Sequence, residues 1–229
     1  MRETTDSDPE TRRLEALWSG EFGDAYVERN RGAGLNRGRF WQSILSEFPS
    51  RRILEVGCNL GCNLRWIAEM VPPTDVFGID VNEKALKELH TTLPSINVVR
   101  SLARRLPFRN CGFDLVITMG LLMHQPENTL SLVMAEIVRC SWRYVFCGEY
   151  YAEDPTEVPY RGQRNALIKR DFGRIYQELF PGLQLRKQGF LSREQGWDNV
   201  TYWVFEKYWE PESEGSLLSS SSDGTLQDP

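Results

Sequence analysis

Five short apolar segments rich in β-branched residues, RILEV (52–56), VFGID (76–80), INVVR (96–100), FDLVITM (113–119) and YVFCGEY (144–150), recur along this chain, most of them separated by stretches of helical periodicity over about 63–70, 82–93 and 128–140. Strands that alternate with helices of ten to fifteen residues pair in parallel, because the helix carries the chain back across the sheet in a right-handed crossover. Their near-continuous apolar character fits strands covered on both faces. The fold class is therefore α/β, with a mostly parallel sheet. A further helix is expected over about 165–180. LQLRKQGF (183–190) and VTYWVFEKYW (200–209) then follow with only a polar loop between them, which predicts an antiparallel edge hairpin at the C-terminus. Ahead of the first strand, Leu14, Leu17, Trp18, Phe22 and Tyr26 at helical spacing, and FWQSILSEF (40–48), predict an N-terminal helical cap. The expected layout is one domain over 11–209, divided into a cap (11–49) and an α/β core (50–209). Polar 1–10 and the Ser- and Glu-rich 210–229 read as disordered.

In a doubly wound sheet the ligand lies outside the carboxyl ends of the strands, where the strand order reverses, and the first strand-to-helix loop normally sits there. That loop reads EVGCNLG (55–61). Gly57 and Gly61 allow a tight turn and close approach of backbone to ligand. Their G-x-x-x-G spacing is not the G-x-G-x-x-G of a dinucleotide site, and Glu55 would repel a pyrophosphate. An acidic group suits a cationic amine or hydroxyl donors instead. Asp80 ends the second strand, where a carboxylate accepts hydrogen bonds from the two hydroxyls of a ribose, in nicotinamide and adenosyl cofactors alike. The strand FDLVITM places residues 119–124, from Met119 to His124, at the same rim. An unperturbed histidine, with a pKa of about 6.5, takes a proton near neutrality, so His124 is a candidate general base; packing at the rim is its bland alternative. Arg161, Arg164, Lys169 and Arg170 follow the strand that ends in Glu149 and Tyr150. They read either as a grip on an anionic acceptor or as a solvated helix start. Trp197, Asp198 and Asn199 sit in the polar hairpin loop.

Several classes are disfavoured. Lysine and arginine total 27 against 32 acidic residues, a net charge of −5, which lacks the basic excess of a nucleic-acid binder. No run of eighteen apolar residues and no signal-peptide core occurs, so membrane partners are not expected and a cytoplasmic protein is. Five cysteines form no secreted disulfide framework. Cys58 and Cys62 have no histidine partner at ligand spacing, as His90 and His124 lie far off in sequence, so no metal is expected.

With LEVGCNLG (54–61), GIDVN (78–82), LPF (106–108) followed by FDLV, and GLLMHQPEN (120–128), the stretch 53–149 resembles the class I S-adenosylmethionine-dependent methyltransferases. WSGEFGDAYVERN (18–30), YRGQRNALIKRDFG (160–173) and WVFEK (203–207) resemble, more closely, the methylases associated with pseudaminic acid biosynthesis. The resemblance implies a Rossmann-like methyltransferase fold and S-adenosyl-L-methionine as cofactor. It places Glu55, Gly57, Cys58, Asn59 and Gly61 about the methionine part, with Asn59 where a glycine is usual. Asp80 and Val81 fall at the ribose, and Leu102 and Ala103 at the adenine, where the acidic residue often found is replaced by Leu102. Met119 completes the rim. Segment 20–30 reads as a lid whose Tyr26 and Arg29 reach the cofactor's carboxylate, or as an ordinary amphipathic helix with Trp18, Phe22 and Tyr26 as its packing face. The implied chemistry is methyl transfer to an oxygen or nitrogen of a small polar molecule, a sugar or nucleotide-linked sugar, with Tyr150 and the four basic residues toward the acceptor and His124 catalytic. A nicotinamide-dependent dehydrogenase and a noncatalytic binding protein on the same scaffold are the alternatives, and the oligomeric state stays open.

Overall fold

A computed structural model of the chain describes residues 8–208. Asp8 accepts a hydrogen bond from the Thr11 N–H (2.6 Å) and so caps helix α1 (Pro9–Ser19), whose first residue is a proline that has no N–H to lose. The helix thus starts ahead of the boundary expected at residue 11. The rest of the 1–10 segment and all of 210–229 lie outside the described residues. Gly20, in an extended conformation, divides the expected helical segment into α1 and α2 (Glu21–Asn30). Helix α3 (Gly38–Glu47) completes the cap, with Trp41 and Ile44 fully buried.

The core follows in the expected order: β1 (Ile53–Val56), α4 (Leu64–Ile67), β2 (Val76–Asp80), α5 (Glu83–Thr92), β3 (Asn97–Arg100), β4 (Phe113–Met119), α6 (Glu127–Cys140) and β5 (Ser141–Glu149). Two short strands, β6 (Thr156–Glu157) and β7 (Ile168–Lys169), pair antiparallel as a separate small sheet. Helix α7 (Phe172–Leu179) and the hairpin β8 (Leu183–Leu191) and β9 (Val200–Lys207) end the described chain. Strand order is β3-β2-β1-β4-β5-β9-β8. β1 to β5 are mutually parallel, and β9 runs antiparallel between β5 and the outermost strand, β8. This is the Rossmann-like methyltransferase fold expected, and its order reverses between β1 and β4.

A later helix departs furthest from expectation. The helix anticipated over 165–180 begins only at Phe172, where Asp171 caps it through the Arg174 N–H (2.9 Å). Arg161 and Asn165 have left-handed backbones (φ 50° and 53°), which an α-helix cannot include.

Alternate residues of each strand feed two cores. Leu54, Val56, Val116, Val145 and Phe205 pack against α6 and α7. Ile53, Leu115, Ile117, Phe146 and Val204 pack with Trp41 and Ile44 of α3. By the two-residue period of a strand, Glu55 faces the α3 side with Ile53, beneath the cap. Among the described residues, no helix is long and apolar enough to cross a membrane.

Candidate functional site

A cavity of about 200 Å³ opens at the carboxyl ends of β1, β2 and β4, roofed by α1 and α2. Its floor is the loop after β1. The Gly57 and Cys58 N–H groups both donate to the Ile79 carbonyl (2.8 and 2.9 Å), which folds the loop over β2. Gly57 has φ 78°, and a Cβ there would stand 2.9 Å from Leu121 Cδ1. Asp80 fixes the next turn. One of its oxygens accepts from Asn59 N–H (2.9 Å) and the other from Asn82 N–H (2.8 Å), leaving each oxygen a lone pair for the cavity. Burial pushes the Asp80 carboxyl up, against the pull of those backbone donors.

Glu55 is 2% exposed. Its Oε1 accepts from Asn63 Nδ2 (2.6 Å). Asn63 Oδ1 in turn accepts from Arg37 Nη1 (2.9 Å) and Trp41 Nε1 (3.3 Å). The Arg37 guanidinium lies 4.1 Å over the Trp197 ring. Glu55 Oε2 and Arg37 Nε are buried with no partner among the described residues. Burial pushes the Glu55 carboxyl up to about 8, opposed by the Asn63 hydrogen bond and the nearby Arg37 charge. One residue from the cap and one from the sheet are thus joined through Asn63 and face the same space.

Across the order reversal from β2, the segment after β4 turns sharply at Gly120 (φ 69°) and forms a short 3-10 turn, Leu122–His124. Glu149, fully buried at the end of β5, shapes that turn: its Oε1 accepts from the Leu121 and Leu122 N–H groups (3.0 and 2.8 Å) and its Oε2 from Met123 N–H (3.2 Å). His124 closes the turn, 6% exposed, with Nδ1 against the Ala166 carbonyl. A carbonyl only accepts, so Nδ1 carries the proton and Nε2 the lone pair. Nε2 has no partner among the described residues, and burial pushes the His124 pKa down to about 4. Trp18 (4.4 Å between ring centroids) and Tyr160 (5.5 Å) pack on it.

Of the residues singled out from sequence, Tyr26, Glu55, Gly57, Cys58, Asn59, Asp80, Val81, Leu102, Ala103, Met119, His124 and Tyr150 line this one cavity, as do Trp197 and Asp198. Six do not. Gly61 is needed elsewhere: a Cβ there would meet Leu89 Cδ1 at 2.4 Å, so it seats the loop on α5. Arg29 is exposed, its guanidinium 5.8 Å over Phe22 and 5.6 Å over Tyr26. Arg161 and Arg164 are exposed, and Lys169 rests 5.9 Å over the Tyr150 ring. Arg170 is buried and bonded to Glu127 (2.9 Å). Asn199 bonds the Arg193 N–H instead. The reading from sequence missed Arg37, Asn63, Glu149 and the polar face of Trp18. Arg37 lies in RGAGLNRGR (31–39), a polar connection with no periodicity to orient any side chain. Among the described residues, no group of three or more His, Cys, Asp or Glu is placed to hold a metal.

Sheet order and a switch point between β1 and β4, with the Asp80 carboxylate at its rim, define a methyltransferase-like α/β fold with a cavity at that point. In agreement, residues 53–141 match the family described as "Methyltransferase domain". A phthiotriol/phenolphthiotriol dimycocerosates methyltransferase of Mycobacterium ulcerans is 30% identical over 95 residues, 41% of this chain and 34% of that protein. An uncharacterized methyltransferase of Synechocystis is 30% identical over 128 residues, 53% of this chain and 59% of that one. The chain thus spans between about a third and three-fifths of these curated relatives. The 1,6-didemethyltoxoflavin-N1-methyltransferase of Burkholderia thailandensis, solved with its substrate and S-adenosylhomocysteine, shares the fold at TM-score 0.66 and 15% identity, over 86% of this chain and 90% of that one.

Proposed function

We propose that this chain is an S-adenosylmethionine-dependent methyltransferase acting on a small polar acceptor. The observation that carries the reading is Glu55 Oε2, a buried acceptor atom without a partner among the described residues, on the same hydrogen-bonded chain as the buried guanidinium of Arg37. An amino acid group fits that pair, its ammonium on Glu55 and its carboxylate on Arg37, as the methionine part of the cofactor requires. Asp80 would hold the ribose hydroxyls, and the rim at Leu102 and Ala103 the adenine. When bound, S-adenosylmethionine supplies an electrophilic methyl group on a sulfonium. The protein's own part is alignment and exclusion of water, which the aromatic roof of α1 and α2 provides.

The acceptor is assigned to sugars or nucleotide-linked sugars on the strength of the segments 18–30, 160–173 and 203–207, which resemble the pseudaminic acid-associated methylases. His124 stands at the acceptor side. The layout of a cap over 11–49 and a core over 50–209, and a cytoplasmic setting for the five free cysteines, belong to the same proposal. Calorimetry tests the cofactor: S-adenosylhomocysteine binds with one-to-one stoichiometry and NADH does not. Mass spectrometry of cell metabolites with and without the protein then seeks a gain of about 14 Da, one methylene, as a positioned transfer would give. Binding of NADH in place of S-adenosylhomocysteine would reverse the assignment.

A further inference from the structure

Two neighbouring side chains of the cavity wall each carry a buried polar atom with nothing to bond. Trp18 Nε1 is a donor only, and His124 Nε2, by the tautomer that the Ala166 carbonyl imposes, is an acceptor only. Both side chains line the cavity, their ring centroids are 4.4 Å apart, and no bond joins the two nitrogens. Phe22, Tyr26 and Tyr160 pack around the pair, with Trp18 at 5.4, 5.4 and 6.2 Å from their rings, so the surroundings are aromatic. Neither atom has a cation or carboxylate as a hydrogen-bond partner.

We propose that Trp18 Nε1 and His124 Nε2 are a complementary pair that selects a neutral hydroxyl as the acceptor group, the oxygen receiving from the indole and the hydroxyl proton pointing at the imidazole. This rests on the methyltransferase reading and narrows it to the chemistry of the acceptor atom. A hydroxyl is both donor and acceptor and satisfies the two atoms at once. A carboxylate cannot donate to Nε2 and would set its lone pairs against the imidazole's. An ammonium cannot accept from the indole and would bring an unpaired charge into an aromatic wall. Burial keeps His124 neutral well below pH 6, so the lone pair stays available throughout the physiological range. Trp18 gains a specificity role here, and His124 orients the hydroxyl.

The test uses the full chain saturated with S-adenosylhomocysteine and three probes of one shape: benzyl alcohol, benzoate and benzylammonium. Binding of S-adenosylhomocysteine is measured first, and its failure sinks the methyltransferase reading without touching the pair, which is then probed in the protein alone. Nitrogen-15 labelling of histidine reports only two rings, His124 and the exposed His90. Benzyl alcohol is expected to move the lone-pair nitrogen of His124 upfield while His90 stays still. The two charged probes are expected to bind at least about tenfold more weakly. Trp18→Phe keeps the ring and removes the N–H, and should weaken benzyl alcohol by about three- to tenfold while leaving the wild-type preference for Nδ1 protonation intact. The tautomer is read in the unsubstituted protein, so a variant that folds poorly does not spoil the result. Equal or tighter binding of a charged probe, no binding of any probe, an unchanged alcohol affinity in Trp18→Phe, or a Trp18–His124 hydrogen bond present before any probe is added would each overturn the assignment.

Discussion

A carboxyl held at about 8 is largely protonated at pH 7, so an arriving ammonium must displace a proton from Glu55. The sign follows directly. Binding favours the ionised form, so affinity for S-adenosylhomocysteine should rise with pH from 6 toward 8, by up to about tenfold per unit, and flatten above. Calorimetry in two buffers of different ionisation heat would register the released proton, and Glu55→Gln should abolish the dependence. The same raised pKa makes the protein without ligand lose stability as pH climbs from the ordinary carboxyl value of 4.5 to about 8, because the unfolded chain gives up the proton first. His124 acts in the opposite sense. Its pKa, lowered to about 4 from 6.5, leaves stability intact above 6.5 and erodes it as pH falls toward 4, where only the unfolded chain is protonated. The sequence alone suggests a rate that climbs through pH 6.5. Burial moves that limb near pH 4, so single-turnover rates should show no histidine step between pH 6 and 8. Arg37→Met should weaken S-adenosylhomocysteine by about tenfold or more, since it removes charge-assisted bonds worth about 1.5–3 kcal/mol, and calorimetry would measure it. Glu55 and Asp80 were legible from sequence because strand ends fix where they point. Arg37 was not, because its orientation comes from Asn63 and Trp197, 26 and 160 residues further along the chain.

At the level of elements, the turn after β4 depends on a carboxylate one strand away. Glu149→Gln keeps size and burial but turns an amide N–H toward a backbone donor. It should cost about 1–3 kcal/mol, seen as a lower melting temperature, and loosen the wall that carries His124. Gly57→Ala faces both a left-handed backbone and the Leu121 contact at 2.9 Å. A loss of about 1–3 kcal/mol in chemical denaturation, with weaker S-adenosylhomocysteine binding, is the expected outcome. The parallel strands were readable because their apolar runs have one arrangement that buries both faces. The start of α7 was not, since the periodicity over 165–180 gives no sign that the surrounding structure holds Asn165 at positive φ and caps the helix at Asp171. The four basic residues were placed at the cavity by proximity in sequence, whereas none of them lines it: Arg161 and Arg164 are exposed, Lys169 rests on Tyr150 and Arg170 bonds Glu127.

For the whole molecule, the cavity lies between cap and sheet, so a ligand that binds there should stabilise both. S-adenosylhomocysteine at about a hundredfold its dissociation constant should add about 2.7 kcal/mol, or roughly 5–10 °C in melting temperature for a chain of this size. Differential scanning fluorimetry would register it. The cap itself is tied down by bonds that reach far along the chain. Glu15 pairs with Arg104, 89 positions away (2.6 Å); Asp24 accepts from Asn82, 58 away (2.9 Å); Arg13 donates to the Arg164 carbonyl, 151 away (2.7 Å). A ribosome therefore releases the roof before it has made the walls. During synthesis the aromatic face of Trp18, Phe22 and Tyr26 has nothing to close on until the strands through β5 and the segment beyond it have emerged, so this part of the chain waits for partners made long after it.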